Sequence, residues 1–156
     1  VVAKPHILAG FGEGRGIRGW TFSGNPLACA AVTSTSSQLD NSDYALLISR
    51  GNALREAIEA IFKAHNLIVT TSGYGNVFGI WLGAVAPMTY EQAEKIANPD
   101  FTKALHLALR EAGVLIMPSP YGRLYISFEH NNRVVEEIKT AFEQAAAQLS
   151  SAFANA

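Results

Sequence analysis

The chain is poor in the residues that staple small folds or mark catalytic centres. It carries a single cysteine, Cys29, in 156 residues. One thiol forms no internal disulfide and no cysteine zinc cluster, so its expected role is packing within a run of small residues. Charge is also scarce: 16% of residues are charged, the formal net charge is -1, and the Lys and Arg residues are scattered. No basic stripe offers itself to nucleic acid or to an anionic membrane. No apolar run approaches the roughly 20 residues that cross a bilayer. The opening "VVAKPHILAG" has neither the hydrophobic stretch nor the cleavage site of a signal peptide. The four histidines, His6, His65, His106 and His130, lie far apart, and no H-E-x-x-H or D-x-D spacing occurs. His106 reads as helix surface and His130 as a capping or core residue. No G-x-S-x-G motif occurs, and no Ser, His and acid set stands out. A reducing, cytoplasmic setting is expected, with no metal, no nucleic acid and no membrane.

What is present is apolar surface, with 49% hydrophobic residues, enough for one real core. Glycine is abundant but uneven. Five of the thirteen glycines fall in "GFGEGRGIRG", residues 10–19. Gly14, Gly16 and Gly19 satisfy G-x-G-x-x-G, but no strand precedes them, and the next helix start, Pro26, comes seven residues too late. Residues 1–20 therefore read as an irregular, mobile lead-in rather than a nucleotide loop.

The helices are marked by their caps. Asn25 with Pro26 opens a first helix through "LACAAVTSTSSQL", where proline at the first helical position sacrifices no bond. Its small residues suit close packing against a neighbour. Asp43 caps a second helix over about 44 to 65, with Leu47, Gly51, Leu54, Ile58, Ile61 and Phe62 on one face and Asn66 as the stop. "LIVTT" and "NVFGIWLG" read as a hairpin turning at "SGYG". Thr89 and Gln92 form a capping box for a short helix. Asn98-Pro99 opens another, with Phe101, Leu105 and Leu109 inward. "VLIM" and "RLYISF" read as two more strands around the rigid "PSPYG". A final helix capped by Asn131 or Asn132 buries Val135, Ile138, Phe142, Ala145 and Leu149, and "SSAFANA" should fray. The order ααββααββα predicts an α+β fold: a mainly antiparallel sheet of about four strands, covered on one side by helices.

"TFSGNPLACAA" resembles a segment of the class III aminotransferases, pyridoxal-phosphate enzymes of fold type I. The tail from "NPDFTKALHLALREAGVLIMPSPYGRLYISF" through the last helix is similar to the C-terminal stretch of the same family, in particular its glutamate-1-semialdehyde 2,1-aminomutase branch. The resemblance covers most of residues 20–150. It implies a homodimer that moves an amino group to or from a small amino acid or amino-aldehyde through aldimine and ketimine intermediates. It makes residues 1–24 a lead-in and phosphate-contact loop from a large domain, 25–40 a connecting helix, and 41–156 the small C-terminal domain. Thr21 matches the threonine that binds the cofactor phosphate in the neighbouring subunit's site, with Trp20 beside it. The family's Schiff-base lysine lies upstream of this motif. Lys4 does not match it, and Lys63, Lys95, Lys103 and Lys139 fall on predicted helices, so the chain alone is expected to be inactive. A lysine-free dimerisation or binding module is the alternative. The aminomutases carry a carboxylate at the position of Gly122. Here Gly122 and Arg123 stand instead, and Arg123 reads either as a contact for a substrate carboxylate or as a solvated strand-end residue.

Overall fold

A computed structural model describes residues 4–12, 19 and 21–153. Two units divide the chain, Val1–Ser42 and Asp43–Ala156.

The first unit holds two helices, α1 (Pro5–Gly12) and α2 (Pro26–Leu39). Helix α1 corrects the reading of residues 1–20 as wholly irregular: "PHIL" opens on proline at the first helical position, and the helix runs for about two turns. Most of the glycine-rich run, at 13–18, lies outside the described residues, as does Trp20. Helix α2 starts where its caps predict. The Asn25 side chain accepts hydrogen bonds from the N–H groups of Leu27 and Ala28. Nothing in α2 is buried, and Cys29, expected to pack, is exposed.

The second unit runs α3 (Tyr44–Ala64), β1 (Val69–Tyr74), β2 (Val77–Leu82), α4 (Tyr90–Ile96), α5 (Pro99–Glu111), β3 (Leu124–Tyr125) and α6 (Asn132–Phe153). Each helix start is local chemistry. Asp43 Oδ1 accepts from Leu46 N–H, Asn98 Oδ1 from Phe101 N–H, and Asn131 Oδ1 from Val134 N–H. At α4 the capping box is shifted by one residue: Gln92 N–H donates to Thr89, but the Gln92 side chain accepts from Met88 N–H. Helix α3 ends at His65, with Asn66 in the left-handed conformation (φ 58°) that stops it.

The core lies between one face of the sheet and helices α3, α5 and α6. Phe62 is the hub, edge-on to Phe101 and to Phe142 at 6.3 Å each. Leu54, Ile58, Phe78 and Leu109 are fully enclosed around it. Phe153 packs on Phe101 at 5.5 Å, so α6 continues through residues 150–153 of the stretch expected to fray, and residues 154–156 lie outside the described residues. Helix α3 meets the hairpin at Gly51, where a Cβ would sit 2.5 Å from the Gly75 carbonyl oxygen.

The sheet is antiparallel with order β1-β2-β3, three strands rather than about four. Strand β1 runs to Tyr74 opposite Val77, which moves the expected turn at "SGYG" onto Gly75-Asn76, with Gly75 left-handed as a two-residue hairpin requires. "VLIM" is the missing strand. It buries Val114 and Ile116 partly and exposes Leu115 and Met117, which is the alternation of a strand. Its polar groups go elsewhere, however. Val114 N–H returns to Leu109 at the end of α5, and His106 Nδ1 bonds the Ile116 carbonyl at 2.7 Å. "RLYISF" pairs with β2 only at Leu124 and Tyr125.

The outer rim of β1 is occupied by side chains of α3. Glu59 Oε1 accepts from the Thr71 N–H (2.7 Å) and hydroxyl (2.6 Å). Arg55 donates to Thr71 Oγ1, to the Thr71 carbonyl and to the Gly73 carbonyl at 3.1 to 3.4 Å. On the opposite face of the sheet, Thr70 Oγ1 is buried without a hydrogen-bond partner among the described residues.

Candidate functional site

Thr21 opens a turn, residues 21–24, that leads into α2. Asn25 N–H closes it on the Phe22 carbonyl at 3.1 Å, with Gly24 at φ 73°. A helix start can help hold an anion through its free amides. The donors of α2 are spent: Pro26 has no N–H, Leu27 and Ala28 donate to the Asn25 side chain, and Cys29 donates to the Asn25 carbonyl. Thr21 is different. It is exposed, and neither its hydroxyl nor its N–H has a partner among the described residues. An anion at this corner would therefore be held by Thr21 and by the field of the helix, not by helix amides.

Arg123 lies in the second unit, on the rim of a basin of about 900 Å³ on the sheet face opposite the core. Three separate segments build its wall. Trp81 comes from β2, where its indole N–H donates to Ser72 Oγ at 2.7 Å. Tyr90 is the first residue of α4, and Tyr121 belongs to the "PSPYG" corner. Tyr121 bridges the other two, stacked on Tyr90 (6.0 Å between centroids) and edge-on to Trp81 (6.4 Å). Desolvation by these neighbours, then the Tyr90 phenol and the Glu94 carboxylate, hold the Tyr121 hydroxyl protonated above the ordinary phenol range.

Two guanidinium groups line the basin and no aspartate or glutamate does. Arg55 is committed to the β1 rim, whereas Arg123 is exposed and has no hydrogen-bond partner among the described residues. The glycine before it is dictated by the turn. Gly122 N–H donates to the Ser119 carbonyl at 2.7 Å, and a Cβ there would lie 2.9 Å from that oxygen and 3.1 Å from Met117 Cβ. A carboxylate side chain at position 122 would force this corner open.

The remaining candidates take structural places. Lys63, Lys95 and Lys103 are exposed on helices, Lys139 pairs with Glu136 at 2.7 Å, and no lysine lines the basin. His130 Nδ1 accepts from Ser127 N–H and sits 2.9 Å from the Ser127 hydroxyl, a turn-capping role. His65 pairs with Glu143 at 2.7 Å. Among the described residues no group of three or more His, Cys, Asp or Glu side chains could hold a metal ion, and no helix is long and apolar enough to cross a membrane. Sequence reasoning missed the aromatic wall. Trp81 faces away from the core by strand alternation, which is a readable signal, but its meeting with Tyr90 and Tyr121 is not.

No protein-family model matches the chain. It is 28% identical over 129 residues to a glutamate-1-semialdehyde 2,1-aminomutase of Staphylococcus haemolyticus, covering 83% of this chain and 30% of that protein. It is 32% identical, again over 129 residues and with the same coverage, to the glutamate-1-semialdehyde 2,1-aminomutase of Thermoplasma volcanium. Among solved structures it is similar to an omega-transaminase from Sphaerobacter thermophilus, with a TM-score of 0.67 at 24% identity over 88% of this chain and 31% of that one. The chain spans about 30% of the length of these curated relatives. It is thus a relative of the class III, fold type I pyridoxal-phosphate aminotransferases, resembling the C-terminal part of their glutamate-1-semialdehyde 2,1-aminomutase branch.

Proposed function

We propose that this chain serves as the C-terminal portion of a pyridoxal-phosphate-dependent aminotransferase or aminomutase that works as a cytoplasmic homodimer on a small amino acid or amino-aldehyde. Residues 1–24 act as the phosphate-contact loop of a large domain, 25–40 as the connecting helix, and 41–156 as the small domain. Beyond kinship, the observation that carries the reading is Thr21, which is exposed beside a helix start and whose hydroxyl and N–H have no partner among the described residues. That donor pair fits a phosphate ester, so the residues present suit the anionic end of the cofactor.

Pyridoxal phosphate, when bound, supplies the electron sink through which an amino group is moved. Thr21 holds its phosphate in the partner's site, next to Trp20. Arg123 takes the substrate carboxylate in a bidentate grip and so fixes which end of the substrate faces the chemistry. The basin wall excludes water from that end. No lysine lines the basin, so the amine that anchors the cofactor and carries the proton comes from elsewhere.

That same observation is what favours the second reading, a non-catalytic dimerisation or binding module. The test is intact mass and N-terminal sequencing of the protein isolated from its source, followed by an amino-donor panel on that product with added pyridoxal phosphate. Amino transfer, with cofactor affinity weakened about tenfold by Thr21→Val, is the expected result. A product that dimerises but moves no amino group with any donor would establish the module instead.

A further inference from the structure

The basin beside Arg123 is shaped for more than a carboxylate. Its wall is aromatic, built from Trp81, Tyr90 and Tyr121, with Met88 on the lip. No acidic side chain is in the lining, although the Glu94 carboxylate bears on Tyr121 from beside it, and one guanidinium, that of Arg123, has no hydrogen-bond partner among the described residues. Gly79 and Gly122 also line the basin, and neither adds a side chain there. A Cβ on Gly79 would already touch the Trp81 indole nitrogen (3.4 Å) and the Gly122 carbonyl (3.6 Å). Flat apolar surface next to an unpaired cation selects a molecule with the same two parts.

We infer that this basin binds carboxylates carrying a flat or bulky apolar body, with the aromatic wall taking the body and Arg123 the carboxylate, so that the substrate of the proposed enzyme is an aryl or large apolar amino acid rather than a short aliphatic one. The inference rests on Arg123 being the carboxylate contact proposed above. Wall and cation lie within one unit, so binding needs neither cofactor nor turnover. The small polar corner at Gly122 belongs to the same selection. A carboxylate side chain there would repel the anion, and the turn has no room for one.

The test uses the full chain, labelled with ¹⁵N, and three probes: 3-phenylpropanoate, 3-phenylpropan-1-ol and propanoate. Amide and indole N–H shifts are followed at Trp81, Gly79 and Gly122. Saturable shifts at these three sites with 3-phenylpropanoate are expected, with binding about tenfold weaker for the alcohol and for propanoate. Arg123→Gln should cost about tenfold for 3-phenylpropanoate and leave the alcohol unchanged. Both Arg123 and Tyr90 are exposed, so Arg123→Gln and Tyr90→Ala keep the fold. Tyr90→Ala should weaken the aryl acid about threefold and propanoate not at all. Equal affinity for acid and alcohol, indifference to Arg123→Gln, or no saturation up to the solubility limit would each overturn the inference. Because the readout is free of pyridoxal phosphate, a negative result here leaves the amino-donor panel to judge the proposed function on its own.

Discussion

Helices α2 and α6 both open on an asparagine cap, yet α2 buries none of its 14 residues, whereas α6 buries Val135, Ile138, Ala141, Phe142, Ala145, Ala146 and Leu149. Helix α2 is held by its own short polar side chains. Asn25 caps it, and the hydroxyls of Thr33, Ser37 and Ser42 donate back to carbonyls one turn earlier. Such bonds rescue single carbonyls and also compete with the helix ladder. A solitary helix of about 12 to 15 residues is marginal in water even with good formers, and α2 is rich in poor ones. Helix α6 draws its stability from a stripe that excludes water, at about 25 cal/mol per Å² of apolar surface removed. A helix can therefore be specified by sequence without being stabilised by it. Helix α2 carries the start and stop signals of a helix and lacks a buried face.

Core truncation should widen this contrast most. Phe142→Ala removes a ring packed against Phe62 and is expected to cost about 3 to 5 kcal/mol in urea unfolding, enough to threaten the second unit. Gly51→Ala tests close approach rather than a void. Its methyl group must displace the Gly75 backbone, at a cost of about 1 to 3 kcal/mol, measured the same way. Caps separate the two units. Asp43→Ala should lower the main transition by about 1 kcal/mol, because α3 is part of the core. Thr70→Val should raise it by up to about 1 kcal/mol, since a buried hydroxyl without a partner is replaced by an apolar group of the same shape. Asn25→Ala is expected to leave the main transition where it is and to show only as faster amide exchange at Leu27 and Ala28. A shift of the main transition by Asn25→Ala would mean that α2 unfolds with the core after all.

The legible parts of the fold were those written locally. Asn25, Asp43, Asn98 and Asn131 each cap the helix their position announces, because a cap needs only two or three neighbouring residues. The stripes on α3, α5 and α6 follow from helical spacing, with only Ile61 left half-buried. What failed depended on distant partners. "VLIM" has the pattern of a strand, but no strand pairs with it among the described residues, and a histidine ten positions before Ile116 takes that carbonyl instead, an arrangement no local window contains. The site divides in the same way. Arg123 stands out as a cation after a rigid corner and lines the basin with no hydrogen-bond partner among the described residues. The aromatic wall is invisible in the chain, since residues 81, 90 and 121 meet only once β2, α4 and the corner are placed. Trp20 lies outside the described residues and Thr21 belongs to the other unit.

The grip of Arg55 and Glu59 on the outer rim of β1 makes the sheet one-sided. With the Thr71 amide and the Thr71 and Gly73 carbonyls already taken, no foreign strand can zip onto that flank without first evicting two side chains. The opposite flank is the two-residue β3, which pairs with no further strand among the described residues. Any fourth strand, whether supplied by further polypeptide or by a neighbour, has to enlist there.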